Sequence, residues 1–534
     1  MRYPAAFAPL VHKPFRLFWT AQFAASLGTW MQNTAAGWLM TELDASTTMV
    51  ALVQTAALLP VFVLAPLAGA LADMVDSRRV LVGNSIFLLL AAALLAGMTA
   101  LGWTGAWGLV LLTFAFGIGT AMIGPSWQAV VGDLVPRSAL AGAIALNSMA
   151  YNGARAIGPA MAGLVVGAVG TAACFGANAA AYVAVVGILL LLPRTREPSP
   201  SGGLLVALRD GVRFARASVA LRTVLGHDLL YFAAAAPLFA LLPLVARTEL
   251  GAGPAGYGML LAGMGIGAVT AGFVLPSLRA RATPHQLLLS ATLGTAVALA
   301  GLAAAPNLAA GTAATFVFGF IWLTGNAQLQ YVLQSSLPPW VRARAISFHQ
   351  MVLNGALAGA GLMWGIGGEF LGVRATLAAG AAVALAAAAL GRLSPLRAAS
   401  QAEAEMAPAP ADPAPPPAAD AAALPTGTIG AVFVTNAWVV PLANREKFVA
   451  LMEEVGRQRR AAGAFTWTIA QDLAEPEHWI EAWGAESFDD HGRIIARTTL
   501  ALATLLDQAA ALAPGPPASR LWVSPDRHGP RLDA

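Results

Sequence analysis

The sequence predicts an all-α polytopic membrane protein with twelve transmembrane helices in two six-helix pseudo-repeats, followed by a C-terminal α+β soluble domain. Three observations carry this prediction: long apolar runs, a repeat between the two halves of the apolar region, and a change of composition near residue 400. Of the 534 residues, 57% are hydrophobic and 11% are charged, whereas about 25% are charged in a typical soluble protein. The mean hydropathy is +0.67.

Apolar runs of about 20 residues are long enough to cross a bilayer. We expect twelve spans, at residues 15–40, 47–71, 80–101, 106–130, 138–168, 171–192, 222–246, 254–278, 285–305, 309–334, 342–369 and 372–392. The N-terminus is not expected to be a cleaved signal peptide, because residues 1–14 contain no apolar core. The single cysteine, Cys174, lies within a predicted span and excludes an internal disulfide framework.

Basic residues collect in the connections on one side of the predicted spans. They are Lys13, Arg16, Arg78, Arg79, Arg137, the arginines of 194–222, Arg279, Arg281, Arg342, Arg344, Arg392 and Arg397. The positive-inside rule therefore places both termini on the cytoplasmic side of the cytoplasmic (inner) membrane. Because the basic residues are sorted to one side of the membrane, the net charge of +4 is not evidence for nucleic-acid binding, and we expect no nucleic-acid partner.

The two halves of the apolar region repeat in sequence. "TFAFG" at 113–117 returns as "TFVFG" at 315–319, and "NGA" at 152–154 returns at 354–356, both at an offset of 202 residues. Parallel repeats of six helices are typical of transporters whose halves rock about a central site. We expect six-helix bundles at 1–192 and 222–397, joined by a cytoplasmic linker at 193–221 with an amphipathic surface helix.

The composition changes after residue 397. Residues 398–427 form a Pro/Ala-rich linker, and 17 of the 27 acidic residues lie beyond residue 400. Residues 428–534 are expected to form a soluble domain. Its predicted elements are strand 429–440, helix 443–461, strands 464–471 and 478–485, helices within 486–510 and strand 519–523.

The densest charge in the apolar region is the turn "GALADMVDSRR" at 69–79, between the second and third spans. Arg78 and Arg79 are suited to anionic headgroups on the cytoplasmic side. The turn resembles the loop signature of the major facilitator superfamily, although Met74 and Asp76 replace the usual basic residue and glycine. This resemblance implies a cytoplasmic gate in which Asp73 closes against the other half, with the two arginines beside it.

A second block, "ALNSMAYNGARAIGPAMAG" at 145–163, resembles the fifth-span motif of exporters of this superfamily. Gly158, Pro159 and Gly163 match its glycine–proline core, which the resemblance associates with antiport. The match is most similar to the branch of transmembrane secretion effectors, which includes the enterobactin exporter. The major facilitator fold and export of a siderophore or drug-like compound are implied.

Polar residues recur at helical spacing in several spans. In the fifth span the stripe includes Arg155, whose burial costs about 2.5–3.5 kcal/mol on insertion scales. It is expected either to attract an anionic or catecholate substrate or to pair with a polar group of a neighbouring helix. The cavity-lining candidates are Gln22, Thr29, Asn33, Asn152, Arg155, Gln328 and Tyr331.

Proton coupling needs a titratable group within the membrane. Asp228 is the deepest acidic candidate, Asp133 and Glu369 end spans, and His349 has a side chain whose ordinary pKa is suited to switching. No acidic residue lies clearly at the midplane of the membrane, so the residues themselves do not show proton antiport. It is implied by the resemblance to the family.

The tail resembles the ferredoxin-like fold of the antibiotic-biosynthesis monooxygenases. The resemblance implies a pocket around Asn436, Trp467, Trp479 and His491, and a homodimer through this domain. The second histidine common in related sequences is missing, since Ile494 and Ile495 stand there. A structural, regulatory or dimerising role is favoured over an enzymatic one.

The sequence thus favours a non-enzymatic exporter that moves an amphipathic small molecule across the lipid bilayer by proton antiport. No cofactor or metal is expected. The alternative is a membrane-anchored oxidase or sensor that acts through the monooxygenase-like tail. An importer also stays open. The polar residues within the spans of the first half favour a transporter. A tail with both histidines would have favoured the oxidase or sensor.

Overall fold

The computed structural model describes residues 9–74, 76–136, 139–192, 216, 218–335, 337, 339–396 and 431–524. The predicted amphipathic helix and the Pro/Ala-rich linker lie outside these ranges. By its internal contacts the chain divides into two compact units. One consists of Met1–Leu204, Leu225–Gln330 and Ser347–Leu396, and the other of Leu205–Val224, Tyr331–Ile346 and Arg397–Ala534.

Twelve long helices precede residue 396 in the described part of the chain. They are α1 (Lys13–Leu43), α2 (Thr47–Met74), α3 (Ser77–Ala100), α4 (Ala106–Leu134), α5 (Leu140–Val169), α6 (Thr171–Leu191), α7 (Val219–Leu244), α8 (Pro254–Arg279), α9 (Pro284–Ala303), α10 (Leu308–Ser335), α11 (Pro339–Leu371) and α12 (Val373–Leu393).

Ten of these described helices are long and apolar enough to cross a membrane. The two that fall short of this criterion are α1 and α5. Both carry stripes of polar side chains, such as Gln22 and Asn33 in α1 and Asn152 and Arg155 in α5. Their lower hydropathy therefore has a local cause, because polar residues replace apolar ones on one face of each helix.

The sequence repeat reappears in the backbone. Adding the 202-residue offset to the bounds of α6 gives the bounds of α12. The glycine before each helix has a positive φ, 88° at Gly170 and 78° at Gly372. Residues with a Cβ avoid this region, so glycine lets the chain reverse tightly between α5 and α6 and between α11 and α12.

The two halves meet at the end of the bundle that holds the turn between α1 and α2, called here the α1–α2 end. Between α2 and α11, Thr47 donates to the carbonyl of Gly365 over 2.6 Å, and Thr55 donates to that of Ala358 over 3.0 Å. Arg247, in the π-helical turn Val245–Glu249 that follows α7, donates to the Thr41 carbonyl of α1. Hydroxyl-to-carbonyl bonds of this kind are common between membrane helices.

The tail contains strands β1 (Val432–Val439), β2 (Thr466–Gln471), β3 (His478–Ala485) and β4 (Ala518–Val523), and helices α13 (Arg445–Ala462), α14 (Phe488–Ala496) and α15 (Leu500–Ala511). The strands form an antiparallel sheet of order β2–β3–β1–β4. Alternate residues of β1 are buried, as expected for a sheet with helices on one face. The buried apolar side chains of this face pack against α13, α14 and α15.

Candidate transport cavity

A cavity of about 560 Å³ lies among α1 to α6 and α11. Its volume is within the ~300–1,000 Å³ range of small-molecule sites. The polar residues that line it are Gln22, Ser26, Thr29, Asn33, Ser85, Thr113, Thr120, Asn147, Ser148, Asn152, Gln350 and Asn354. The aromatic ones are Trp30, Phe116, Trp127, Tyr151 and Tyr182. None of these described lining residues is charged.

This lining suits an amphipathic molecule. Hydroxyl and amide groups can donate to or accept from polar substituents, and the aromatic rings offer flat apolar surface. The first half supplies most of the wall, and α11 adds Gln350 and Asn354. These two residues are the repeat partners of Ser148 and Asn152 in α5, which also line the cavity.

Four of the predicted cavity residues line this cavity: Gln22, Thr29, Asn33 and Asn152. Gln328 and Tyr331 of α10 are not among the described lining residues. Gln328 is fully buried and accepts a hydrogen bond from Arg279 Nε over 3.3 Å. Tyr331 is 44% exposed.

Arg155 lies one turn beyond Tyr151 and Asn152 on α5 and is partly buried. Its guanidinium carbon is 5.5 Å from the ring centroid of Trp30, a cavity-lining residue. Among the described residues its side chain makes no hydrogen bond and no ion pair. Arg155 itself is not among the described residues that line the cavity. A cation–π contact attracts the guanidinium, and no counterion for its positive charge is present among the described residues.

The glycine–proline core of α5 forms a contact surface with two helices. A Cβ at Gly158 would lie 2.7 Å from Trp30 Cβ of α1. A Cβ at Gly163 would lie 2.8 Å from the Pro254 carbonyl oxygen and 2.9 Å from Gly258 Cα of α8. The Pro159 carbonyl oxygen lies 3.1 Å from the position of a Cβ at Gly258. The motif therefore allows α5 and α8, which belong to different halves, to touch through their backbones.

The described contacts of the charged turn between α2 and α3 are with α3 and α6. Asp76 caps the N-terminus of α3 by accepting from the backbone N–H groups of Arg78 and Arg79. Arg78 also donates to the Leu189 and Leu190 carbonyls at the end of α6, over 2.8 and 3.0 Å. The side chain of Asp73 lies outside the described residues. The capping role of Asp76 was not predicted, although an aspartate just before a helix is a common signal for it.

The structure brings two of the four predicted proton-coupling residues together. Asp228 of α7 and His349 of α11 are both fully buried, and Asp228 Oδ2 is 2.9 Å from His349 Nδ1. Glu369 instead accepts from the Thr48 backbone N–H over 3.1 Å, at the exposed start of α2. The side chain of Asp133 lies outside the described residues.

In the tail, a carboxylate that sequence reasoning missed organises the predicted pocket residues. Glu481 is fully buried and accepts from Asn436 Nδ2 over 2.7 Å and from Trp467 Nε1 over 2.9 Å. The alternation in "HWIEAW" could have revealed it, because it places Glu481 on the buried face with Trp479 and Trp483. Trp479 packs apart from this network, in the apolar cluster with Phe448 and Met452.

His491 stacks on Trp483, with ring centroids 5.4 Å apart, and the buried Arg459 lies 4.7 Å from the same ring. Burial lowers the pKa of His491, and the positive charge of Arg459 lowers it further. Burial also lowers the pKa of Arg459, an effect that the Glu481 carboxylate opposes. Arg459, Glu481, Trp483 and His491 thus form one cluster in which the charged and aromatic groups interact with one another. Within the described ranges, no three His, Cys, Asp or Glu side chains group as a metal site requires.

The helical part has the fold of solved membrane transporters. It superposes on the nucleoside transporter NupG with a TM-score of 0.59 at 11% identity, covering 71% of this chain and 98% of that chain. It also superposes on a bacterial homologue of the human lysosomal transporter Spinster with a TM-score of 0.57 at 13% identity, covering 74% and 98%. At these identities the likeness concerns the fold.

The family model described as transmembrane secretion effector matches residues 4–528. The chain therefore belongs to the transmembrane secretion effector family of the major facilitator superfamily, and the family predicted from the two motifs is confirmed.

Three curated proteins are similar to parts of this chain at 24–26% identity. The chain is 26% identical over 267 residues to the staphyloferrin A transporter of Staphylococcus aureus, a match that covers 49% of this chain and 66% of that protein. It is 26% identical over 201 residues to the uncharacterized MFS-type transporter YfiS of Bacillus subtilis, covering 36% and 47%. It is 24% identical over 268 residues to macrolide efflux protein A of Streptococcus pyogenes, covering 47% and 66%. The matches span about half to two thirds of each relative's length.

Proposed function

We propose that this protein is a secondary active transporter that exports an amphipathic small molecule, a siderophore or drug-like compound, across the cytoplasmic membrane by proton antiport. In this proposal all twelve helices cross the membrane, and both termini are cytoplasmic. The observation that carries it is the cavity of about 560 Å³ with an uncharged polar and aromatic lining, walled by helices of both halves.

The contacts between the halves support a transport cycle. At the α1–α2 end, α2 contacts α11 through Thr47 and Thr55, and α5 contacts α8 through the backbone of Gly163. With the arginine-rich turns in the cytoplasm, this end faces outward. The described conformation then holds the halves together on the outer side, and release of substrate outward requires these contacts to separate.

The charge of Arg155 and the relatives narrow the substrate class. Arg155 has no described counterion and lies against the cavity residue Trp30, so an anionic group on the substrate would be attracted to it. One relative is named as a siderophore transporter and another as a macrolide efflux protein. These names support both substrate classes, a siderophore and a drug-like compound. The lack of a counterion for Arg155 among the described residues favours an anionic substrate such as a siderophore.

Export can be measured in everted membrane vesicles with four probes: enterobactin, staphyloferrin A, erythromycin and ethidium. We expect at least one probe to accumulate when the vesicle lumen is acidified, and an uncoupler to abolish accumulation. Accumulation of an anionic probe should fall at least tenfold in Arg155→Gln and recover in part in Arg155→Lys. Arg374→Gln is the matched control, because Arg374 is an exposed arginine paired with Glu249.

Three results would count against parts of this proposal. If none of the probes moves although the protein is well expressed and monodisperse, general efflux is wrong and the tail should be tested for redox chemistry. If a probe moves equally in the presence of uncoupler, export is not proton antiport. Equal loss in Arg155→Gln and Arg374→Gln would remove the anion-binding role of Arg155.

The tail is proposed to be a ferredoxin-like accessory domain that pairs with a second copy. Its strand order β2–β3–β1–β4, with helices against one face, supports this domain type. The other face exposes Val439, Ile480 and Trp522, which are 43%, 51% and 51% exposed. Large apolar side chains exposed on one face of a sheet are candidates for an interaction site, and the same face on a second chain is its complement in a two-fold pair.

This pairing predicts that the full-length protein is dimeric in detergent and that Ile480→Lys and Trp522→Lys together make it monomeric, as measured by mass photometry. Transport of the probes should survive truncation after Arg397 if the tail is accessory. A full-length chain that is monomeric at all concentrations contradicts the pairing. Loss of transport on truncation, with the membrane part still folded, contradicts the accessory role.

A further inference from the structure

We infer that Asp228 and His349 form the proton-binding pair that couples transport to the proton gradient. This inference rests on the proposed antiport and names the residues that would carry it. Asp228 Oδ2 of α7 lies 2.9 Å from His349 Nδ1 of α11, and both side chains are 0% exposed. Each residue lies about 14 Å from the start of its helix, at 1.5 Å per residue, so the pair is well inside the bundle.

The surroundings of the pair are sparse in polar partners. Asp228 Oδ1 and His349 Nε2 have no hydrogen-bond partner among the described residues. Among the described residues, the groups that act electrostatically on the Asp228 carboxyl are His349 of α11 and His227 of its own helix. The His227 ring lies 6.1 Å from that of His285 of α9. The neighbouring helix α12 approaches His227 at Gly391, which has no side chain.

Aromatic rings close the site on another side. The ring of Phe232 lies 5.9 Å from that of His349 and 5.3 Å from that of Trp322 of α10. Water is therefore kept from the pair by apolar groups from two helices. In such surroundings a net charge is strongly disfavoured.

This exclusion fixes the number of protons on the pair. A carboxyl and an imidazole in contact are neutral together when they hold one exchangeable proton, either as acid and neutral imidazole or as carboxylate and imidazolium. Removing that proton leaves a buried negative charge, and adding a second leaves a buried positive charge. Both are unfavourable while the site is closed, so the closed site retains one proton until the helices rearrange.

The internal repeat shows where this pair would be exposed. At the 202-residue offset, Asp228 corresponds to Ser26 of α1, and His349 corresponds to Asn147 of α5. Ser26 and Asn147 both line the cavity. The second half thus places its titratable pair at positions that face the cavity in the first half, but here the pair is sealed between α7 and α11.

The helix α11 connects the pair to the substrate site and to the contact between the halves. Gln350, the residue after His349, and Asn354 both line the cavity. Farther along the same helix, the carbonyls of Ala358 and Gly365 accept from Thr55 and Thr47 of α2. The helix α11 therefore carries His349, two cavity residues and the contacts with α2. A change of protonation that loosens α11 from α7 would act on all of them. A proton that binds the two conformations with different affinity shifts their populations.

The experiment measures the conformational equilibrium of the full-length protein as a function of pH, without substrate. Spin labels are attached through Leu101→Cys and Ala304→Cys in a Cys174→Ala background. Leu101 and Ala304 are exposed residues in the α3–α4 and α9–α10 turns, one in each half. Pulsed electron–electron resonance in nanodiscs between pH 5 and 9 then reports the distance between the halves at the α1–α2 end.

We expect the ratio of the two distance populations to change with pH, by up to about tenfold per pH unit if one proton is linked. Asp228→Asn should abolish this response. The asparagine oxygen can still accept a hydrogen bond from His349. This variant therefore keeps the contact between α7 and α11 and removes only the titratable carboxyl. His349→Gln removes the other titratable group and should have the same effect. Glu249→Gln, at a partly exposed acid paired with the exposed Arg374, is the control that keeps the response.

A pH response that persists in Asp228→Asn and His349→Gln, or its absence in the unsubstituted chain, would overturn the inference. Counterflow separates this failure from failure of the proposed function. Exchange of labelled for unlabelled erythromycin across proteoliposomes requires no net proton movement. Asp228→Asn should therefore retain exchange at the unsubstituted rate while losing pH-driven accumulation at least tenfold. Absence of exchange in the unsubstituted protein concerns the proposed substrate class, and the spin-label titration still decides the role of the pair.

Discussion

The contact between α5 and α8 predicts a large effect from a single added methyl group. A Cβ at Gly163 would lie 2.8 Å from the Pro254 carbonyl oxygen and 2.9 Å from Gly258 Cα. Carbon atoms pack at about 3.5–4.0 Å, and both obstacles are backbone atoms that cannot rotate away. Gly163→Ala therefore requires α5 and α8 to separate by roughly 0.6 Å or more. Gly167, one turn farther along α5, would meet nothing within 4 Å.

Overpacking of this kind costs about 1–3 kcal/mol. Because each 1.4 kcal/mol changes an equilibrium about tenfold, Gly163→Ala should reduce the ratio of closed to open population at the α1–α2 end by roughly 5- to 150-fold. Alanine favours the helix over glycine by up to about 1 kcal/mol, and Gly167→Ala measures this gain alone. The difference between the two variants therefore isolates the contact.

The assay is the distance between labels at Leu101→Cys and Ala304→Cys, together with thermal unfolding in detergent. We expect Gly163→Ala to depopulate the short distance and lower the Tm. Gly167→Ala should leave both unchanged or raise the Tm slightly. If the two variants give the same distance distribution and the same Tm, the close approach of α5 and α8 does not stabilise this conformation, and the reasoning is refuted.

Three further predictions concern single groups. Thr55→Val should shift the same distance equilibrium by about 0.6 kcal/mol, or roughly threefold, whereas Thr292→Val, which loses only a bond within its own helix, should not. Glu481→Gln should destabilise the tail by about 1–3 kcal/mol, seen as faster hydrogen exchange in β1 to β3 of the full chain, while the exposed Glu477→Gln leaves exchange unchanged. His491 should titrate with a pKa below the ordinary value of about 6.5, so the unfolded tail binds more protons and tail stability falls as the pH drops below about 6.5. Histidine NMR of the full chain, assigned with His491→Gln, would contradict this if the pKa is ordinary or raised.

Much of the architecture was predictable because local pattern and physics fix it. Apolar runs longer than a bilayer predict spans, and the twelve observed helices coincide with the predicted segments, extending a few residues past several of them. The helices extend past these segments because a helix can continue beyond the hydrocarbon core of the bilayer. In the tail, strand alternation and turn residues placed the elements within a few residues, for example 478–485 for His478–Ala485. The family was predicted from two short motifs, one in the turn between the second and third spans and one in the fifth span. Each motif is a run of neighbouring residues, so the sequence alone reveals it.

The candidate site was predictable in part. The polar stripe of α1 identified Gln22, Thr29 and Asn33, because a helix that faces a cavity shows its polarity at a period of 3.6 residues. Gln328 belongs to a similar stripe, yet it is buried and accepts from Arg279. Periodicity selects a face of a helix. It does not state whether that face meets a cavity or another helix.

What the sequence by itself determined is the membrane class, the internal repeat, the family and the order of elements in the tail, because each depends on neighbours in the chain. Only the tertiary structure decided that Asp228 meets His349 across 121 residues, that Glu481 collects Asn436 and Trp467, and that Arg155 lies against Trp30. These contacts join residues from different elements. Their distances depend on how whole helices and strands pack, and composition and spacing carry no measure of that packing.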